Sequence, residues 1–264
     1  MKKKTRNRIL TIIQILLLIF IAYNLYQIGS YYYSRYKAQQ NYNETSKIFE
    51  EVVNKDKDKK LSPEELKALR DENSKKLIEN LKKKNSDIEA YINIKDTHID
   101  YPIVYKDNSY YLRRDINKQY SIPGTIFIEE TNKPDFSDRN TTIYGHNMSN
   151  ASSSLAPMFK ELEQYADSEF VKTGKARTIE IFTPKGVLEY EIISAYYIDA
   201  YYDYRSFDMS DEDWVKYSNN LIKKSEVDYG YEGEIGPDDK LLTLSTCDNV
   251  EDIGRFVVHA VLKK

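Results

Sequence analysis

The stretch that decides the fold lies near the C-terminus, where Leu241-Leu242-Thr243-Leu244-Ser245-Thr246-Cys247 is followed, beyond a short loop, by Arg255-Phe256-Val257-Val258-His259-Ala260-Val261-Leu262. Both runs are rich in β-branched and aliphatic residues, which predicts two β-strands. If the strands pair as an antiparallel hairpin across loop 248–254, Cys247 and Arg255 lie opposite each other, roughly 5 Å apart on one face. The sequence therefore predicts a thiol beside a guanidinium at the end of this hairpin.

Upstream of this hairpin, the sequence after Asp87 consists mainly of short β-like runs separated by turn residues. Two helical stretches interrupt these runs, at about 155–163 and at 211–224, and Ser210 is the expected N-cap of the second. Eight short strands with few long helices predict a mainly β fold, a closed or nearly closed barrel decorated with helices, rather than a doubly wound sheet. The predicted strands are 90–94, 99–104, 124–128, 141–144, 178–182, 187–198, 240–246 and 255–262.

The N-terminal region predicts one transmembrane helix. Residues 9–28 read ILTIIQILLLIFIAYNLYQI, and twenty residues in a helix span roughly 30 Å, the thickness of a hydrocarbon core. Five basic residues lie in the first eight positions, which places the N-terminus in the cytoplasm and the body outside the cell. A cleaved signal peptide is the alternative, but no small-x-small cleavage site follows Tyr23.

Between the apolar segment and the barrel, the sequence predicts a helical stalk. Ser62-Pro63-Glu64-Glu65 has the pattern of a helix start, and Leu66, Leu69, Leu77, Ile78 and Leu81 then recur at helical spacing. The lysine-rich run 55–60 is interpreted as a solvated linker. The predicted organisation is a basic tail (1–8), a membrane anchor (9–28), helices (29–86) and a catalytic barrel (87–264).

The charge distribution argues against nucleic-acid binding. Residues 1–35 hold six basic residues and no acidic one, so the remainder carries 33 basic and 42 acidic residues, a net charge of −9. A general nucleic-acid binder needs a basic face on its folded part. The single cysteine also excludes an intrachain disulfide framework and a cysteine-based metal site, and no metal-binding pattern stands out.

Cys247 is the candidate nucleophile, although a lone cysteine can equally be a small buried hydrophobe. A guanidinium at Arg255 would favour the thiolate and stabilise an oxyanion. His146 directly follows a predicted strand and Gly145, where a general acid/base can reach a substrate. The other histidines are poorer candidates, because His259 lies about 13 Å along the strand from Arg255 and His98 lies in a polar turn.

These residues resemble the motifs of class B sortases. The matching segments are Thr243–Cys247 with Arg255–Val258, Tyr144–Met148, Ile99–Val104 and Asp107–Leu112. The helix at 211–224 is similar to the insertion that marks class B. The resemblance covers about residues 85–264 and implies an eight-stranded sortase-type barrel.

The resemblance further implies a cysteine transpeptidase on the outer face of a Gram-positive membrane. In such an enzyme Cys247 attacks the threonine carbonyl of a C-terminal sorting motif, NPQTN or a related pentapeptide, and a peptidoglycan-precursor amine resolves the thioacyl intermediate. His146 acts as acid and base, and Arg255 holds the substrate and the oxyanion. The resemblance adds Asn108 and Leu112 as groove-lining residues and Ser245 as a substrate contact, and it implies no cofactor.

Three alternatives stay open at this point. The first is a tethered cysteine peptidase that only hydrolyses its substrate, and the second is a sortase that polymerises pilins. The third is a non-enzymatic surface protein in which Cys247 is merely buried. Asp248 follows the cysteine, but a turn acid is as good an interpretation of it as a catalytic role.

Overall fold

The computed structural model describes residues 3–53, 61–148, 158–247 and 254–264. It contains four α-helices, α1 (Lys3–Val53), α2 (Pro63–Lys84), α3 (Ser168–Lys172) and α4 (Asp211–Ile222), and two 3₁₀ helices, Tyr110–Arg113 and Phe159–Ala166, within these residues. The eight strands are β1 (Ile88–Ile94), β2 (Asp100–Tyr105), β3 (Phe127–Ile128), β4 (Asn140–Tyr144), β5 (Thr178–Thr183), β6 (Gly186–Asp199), β7 (Leu241–Cys247) and β8 (Gly254–Leu262).

The strands form a closed barrel in the order β1-β2-β3-β4-β7-β8-β6-β5, which confirms the predicted fold class. Neighbouring strands are antiparallel except for the parallel pairs β2–β3 and β4–β7. Closure gives each of the described strands a neighbour on both sides, which removes the open sheet edges that invite aggregation. The barrel interior is filled by aliphatic and aromatic side chains, among them Ile92, Ile181, Leu244 and Val258, all fully buried.

Several predicted boundaries differ from the structure. The run predicted as strand 124–128 is paired only at β3, because Gly124 has a φ of +62° and the chain turns there. The helix predicted at 155–163 is the 3₁₀ helix Phe159–Ala166, and 149–157 lies outside the described residues. The helix predicted at 211–224 is α4, whose N-cap is Ser210 as predicted.

The predicted membrane anchor and the first part of the predicted stalk lie in one helix. α1 continues for 51 residues, so the expected boundary at residue 28 falls inside an unbroken helix. Its apolar part has a mean hydropathy of 2.2 over 18 residues with none of that window buried, which makes it a candidate membrane span. Its second half packs on the barrel, where the Tyr42 hydroxyl donates to the Gly124 carbonyl at 2.6 Å and Phe49 stacks on Tyr91.

α2 begins as the sequence predicts but buries only part of the predicted stripe. Ser62 and Glu65 form a reciprocal capping box. Leu77, Ile78 and Leu81 are buried against the barrel, whereas Leu66 is 46% exposed and lines an open groove between α1, α2 and the barrel. The predicted linker 55–60 lies outside the described residues.

His259 is buried in the barrel wall, away from the position of Cys247. Its ring is fully buried between the Tyr196 hydroxyl and Thr243 Oγ1, each 2.9 Å from a ring nitrogen. Burial lowers the pKa of His259 to about 3, because a charged imidazolium would lose its hydration. Thr243 donates onward to Asn140 Oδ1 at 2.7 Å, so the Thr243 hydroxyl accepts from a neutral ring.

The buried ring of His259 predicts a loss of stability in mild acid. Below the ordinary pKa of 6.5 the unfolded chain binds a proton that the folded protein excludes, so the free energy of unfolding falls as the pH falls from 6.5 toward 3. The expected slope is about 1.4 kcal/mol per pH unit. Urea unfolding of the fragment lacking residues 1–30 should therefore show a loss of about 2 kcal/mol between pH 6.5 and pH 5. His259→Gln should weaken this dependence, and an unchanged slope in that variant would contradict the prediction.

Candidate active site

Strand register brings the predicted chemical groups to one end of the barrel. In the β7–β8 pair Cys247 lies opposite Arg255, as the sequence predicts. β4 pairs with β7 in parallel, with Tyr144 opposite Ser245, so both strands end at the same edge. His146 lies two residues beyond the end of β4. It therefore lies at the edge of the barrel where β7 ends with Cys247. The Cys247 side chain lies outside the described part of the chain.

A cavity of about 230 Å³ lies at this edge. His146, Arg255, Ser245, Asn108 and Leu112 all line it, so five of the six sequence-predicted site residues share one cleft. The sequence did not single out several other lining residues, including a second arginine. These are Thr125, Phe127, Tyr144, Gly145, Ala200, Tyr204, Arg205 and Thr246.

His146 is held by a backbone carbonyl. Its Nε2 donates to the Leu112 carbonyl oxygen at 2.8 Å, and its own carbonyl accepts from the Phe159 backbone NH at 2.9 Å. A carbonyl can only accept, so the proton of the neutral ring resides on Nε2, and Nδ1 carries the lone pair that can accept a proton. Burial lowers the pKa of His146, and the nearby Arg113 charge lowers it further against the opposing effect of the Leu112 carbonyl.

Gly124 determines where the Leu112 carbonyl lies. It has a positive φ, and a Cβ at this position would lie 2.5 Å from the Tyr111 oxygen and 2.6 Å from the Leu112 oxygen. Only glycine fits here without displacing the acceptor that orients His146. No sequence pattern pointed to this contact, because residues 112, 124 and 146 are far apart along the chain.

Gly124→Ala is expected to lower turnover of a substrate peptide by about 10-fold or more, since displacement of a positioned catalytic group by 1 Å can cost about 10²-fold. The free energy of unfolding should fall by about 1–3 kcal/mol. Gly174→Ala is the matched control, because Gly174 also has a positive φ but a Cβ there would meet nothing within 4 Å. Peptide turnover and urea unfolding of both variants measure the two effects. Equal turnover in the two variants would contradict the positioning role of Gly124.

Asn108 is locked by two acidic residues. Its Nδ2 donates to Glu129 Oε1 at 2.6 Å, its Oδ1 accepts from the Glu130 NH at 2.9 Å, and its own NH donates to Glu130 Oε2 at 3.0 Å. The buried Glu129 also accepts from the Tyr144 hydroxyl at 2.7 Å. Glu129 therefore fixes two lining side chains, a role that sequence reasoning missed because the residue lies outside every motif.

Ser245 lines the cavity but is fully buried. Its Oγ lies 3.0 Å from the Tyr204 hydroxyl. The Tyr204 carbonyl in turn accepts from Asn140 Nδ2 at 3.1 Å, so the cavity wall is connected to the buried Thr243–His259 pair described above. The segment after β6 is thereby fixed to the barrel from two sides.

Two guanidinium groups reach the cavity. Arg255 is half-buried, and its Nη1 donates to the Gly254 carbonyl at 2.8 Å. A guanidinium carries five N–H donors in a planar fork, so it can bond this carbonyl and a ligand at the same time. Arg205 hydrogen-bonds Tyr144, and this contact is the main cause of the raised pKa of Arg205. The cavity therefore suits a substrate that develops negative charge.

Two other sequence expectations concern His98 and Asp248. His98 is exposed and pairs with Glu161, in agreement with its interpretation as a turn residue. Asp248 lies outside the described residues. Among the residues that the structure describes, no group of three or more His, Cys, Asp or Glu side chains could hold a metal ion.

The closed eight-stranded barrel is a sortase-type fold, and His146, Cys247 and Arg255 meet at one of its edges. The model of the sortase domain family matches residues 92–263, and the chain therefore belongs to the sortase family, within its class B. Its members are cysteine transpeptidases that act in cell-wall sorting, and this assignment rules out the interpretation as a non-enzymatic surface protein.

Sequence and structure comparisons with sortase B proteins support the assignment to class B. The chain is 35% identical to Sortase B of Listeria monocytogenes over 194 residues, 70% of this chain and 73% of that protein. It is 28% identical to Sortase B of Staphylococcus aureus over 262 residues, 98% of each chain. The crystal structure of sortase B from B. anthracis in complex with AAEK1 superposes with a TM-score of 0.62 at 33% identity, covering 72% of this chain and 85% of that one.

Proposed function

We propose that this protein is a membrane-anchored class B sortase that cleaves a C-terminal sorting motif of surface proteins and transfers the acyl group to an amine of a lipid-linked peptidoglycan precursor. The observation that carries the proposal is the convergence on one cavity. His146 from the end of β4 and Arg255 from β8 line the same cleft, and Cys247 ends β7 opposite Arg255. No cofactor is needed for this chemistry.

In the first half of the reaction, Cys247 Sγ attacks the threonine carbonyl carbon of the motif. The peptide C–N bond breaks, and a thioester forms between Cys247 and the threonine acyl group. His146 has by then taken the thiol proton of Cys247 on Nδ1, which leaves a thiolate beside an imidazolium, and it gives this proton to the leaving amine, which departs neutral. The Nδ1 atom is the one available for this transfer, because Nε2 is engaged by the Leu112 carbonyl.

In the second half, the amine of the acceptor attacks the thioester carbonyl. His146 takes the amine proton, an amide bond forms, and the C–S bond breaks to restore the thiolate of Cys247. The guanidinium of Arg255 stabilises the oxyanion in both halves. The proton count is balanced over the cycle, since His146 accepts one proton for each that it donates.

Three further lining residues are proposed to bind the motif. Asn108 presents an amide that Glu129 holds in one orientation, and Leu112 offers an apolar side chain beside His146. Ser245 contributes a hydroxyl group in the cavity wall, and this hydroxyl is held in place by the Tyr204 hydroxyl. An NPQTN-like pentapeptide, with polar side chains before the scissile threonine, suits a cleft of this mixed character.

The proposed cellular arrangement follows from α1. Residues 1–8 form a cytoplasmic basic tail, 9–28 cross the membrane, 29–86 form the helical extension and 87–264 form the catalytic domain outside the cell. The unburied apolar segment and the basic residues before it support this orientation.

Competition between amine and water tests the transferase assignment. A library of pentapeptides should be cleaved selectively, and added candidate amines should convert the threonine product from the free acid to the amide in proportion to amine concentration. Mass spectrometry of the products measures this ratio. Only free acid at every amine concentration would indicate the hydrolytic peptidase, and selective use of a pilin lysine peptide would indicate the pilin-polymerising alternative.

A further inference from the structure

The connection between β2 and β3 is fixed to the part of α1 that follows the apolar segment. Tyr42 donates to the Gly124 carbonyl, and Asn41 Nδ2 donates to Asp115 Oδ2 at 2.8 Å. Closer to the apolar segment, Ser34 Oγ accepts from the Ile122 backbone NH at 2.9 Å. Ser34 lies six residues beyond the end of the predicted span, which corresponds to about 9 Å along a helix.

The segment that makes these contacts, residues 113–122, is called the membrane-proximal loop. Arg114 and Tyr120 form an antiparallel bridge, and the Asp115 NH donates to the Gln119 carbonyl at 2.8 Å. The Arg113 side chain closes the loop by donating to the Ile122 carbonyl at 2.9 Å. The loop is therefore an ordered turn whose position relative to α1 is set by hydrogen bonds.

The loop is basic on an acidic protein. Arg113, Arg114 and Lys118 are exposed, whereas its one acidic residue, Asp115, is buried and accepts from Asn41. Lys118 is paired with Asp87 at 3.0 Å, whereas Arg113 and Arg114 each donate one bond to a backbone carbonyl, so their charge is not neutralised by these contacts. The net positive charge of the loop contrasts with the net charge of −9 on residues 36–264.

Aromatic side chains complete the pattern. Tyr120, which pairs with Arg114 at the base of the turn, is 73% exposed. On α1, Tyr33 and Tyr36 flank Ser34, the residue that contacts Ile122 of the loop, and they are 67% and 53% exposed. Tyrosine and arginine together are typical of the headgroup region, where the ring lies at the interface and the cation meets lipid phosphate.

We propose that the membrane-proximal loop binds the anionic phospholipid headgroups of the membrane that α1 crosses. The inference rests on the anchor assigned under the proposed function. Since Arg113 directly follows Leu112, whose carbonyl orients His146, this contact also holds the catalytic cavity at the membrane surface. An amine carried on a lipid would then reach the cavity without leaving its bilayer.

The test uses the full chain in nanodiscs of phosphatidylglycerol whose acyl chains are brominated near the headgroup. A tryptophan introduced by Tyr120→Trp should be quenched several-fold more than one introduced by Leu66→Trp, an exposed site near the far end of α1. The native Trp214 is fully buried in the barrel and provides a constant background. Combining Tyr120→Trp with Arg113→Ala and Arg114→Ala should remove the quenching, and Arg113→Lys with Arg114→Lys should retain it.

Two comparisons separate the possible failures. Tyr23→Trp reports on the span itself, so absence of quenching there would overturn the anchor and with it this proposal. Quenching at position 23 without quenching at position 120 would overturn the loop assignment alone. Equal quenching of Tyr120→Trp in neutral phosphatidylcholine would contradict recognition of anionic headgroups, because the contact would then not depend on charge.

Discussion

Replacement of Cys247 by alanine is expected to reduce cleavage of a sorting-motif peptide by about 10⁴-fold or more, to the background of the assay. The reason is that the thioester cannot form without the sulfur, and no other described side chain of the cavity is a comparable nucleophile at neutral pH. Release of the leaving amine, followed by chromatography, measures the loss.

The single cysteine gives this prediction a clean control. Alkylation of the unmodified protein can occur at only one thiol, so inactivation by a thiol reagent should match the effect of Cys247→Ala. The reaction of this thiol with iodoacetamide should slow in His146→Ala, because the imidazole no longer supports the thiolate. Turnover retained in Cys247→Ala would remove Cys247 from the mechanism.

The second large effect is expected for Arg255→Lys, which should lower the turnover number by about 10²–10³-fold, the loss typical of removing one oxyanion donor. Lysine keeps the charge but cannot reproduce a planar fork that bonds the Gly254 carbonyl and a substrate oxygen at once. The Michaelis constant should change less than the turnover number, since the oxyanion exists only in the transition state.

Arg205→Lys is the matched control for Arg255→Lys. Both guanidinium groups line the cavity, but Arg205 engages Tyr144 rather than lying opposite Cys247. Its effect should stay below about 10-fold, within the range of a surface-type contact. A near-normal rate for Arg255→Lys, or the same loss in both variants, would contradict a specific role for Arg255.

Local sequence patterns were sufficient to predict the barrel and the hairpin formed by β7 and β8. Alternating β-branched runs determine strands, and the short connection between β7 and β8 determines their register, so the opposition of Cys247 and Arg255 follows from the sequence. His146 was predicted from its place at a strand end. The parallel pairing of β4 with β7 explains why that place lies at the same edge of the barrel.

The remaining features depend on contacts between distant segments, which no local pattern contains. The Leu112 carbonyl acts through its backbone, so its side chain gives no indication of that role. Glu129 belongs to no motif, yet it fixes Asn108 and Tyr144. The continuity of α1 was not predicted because the composition changes at residue 28, and the polar part is held in the helix by its packing on the barrel, where Ala38, Tyr42 and Phe49 are buried.

Intact-mass spectrometry of the full chain tests the central claim, a thioacyl intermediate on Cys247, most directly. The protein is mixed with a sorting-motif peptide in the absence of amine and quenched in acid within the first turnovers. The predicted result is a mass increase equal to the peptide segment that ends in threonine, located by digestion on the fragment containing Cys247 and released by added amine. Turnover without any such adduct, or an adduct on another residue, would contradict the account.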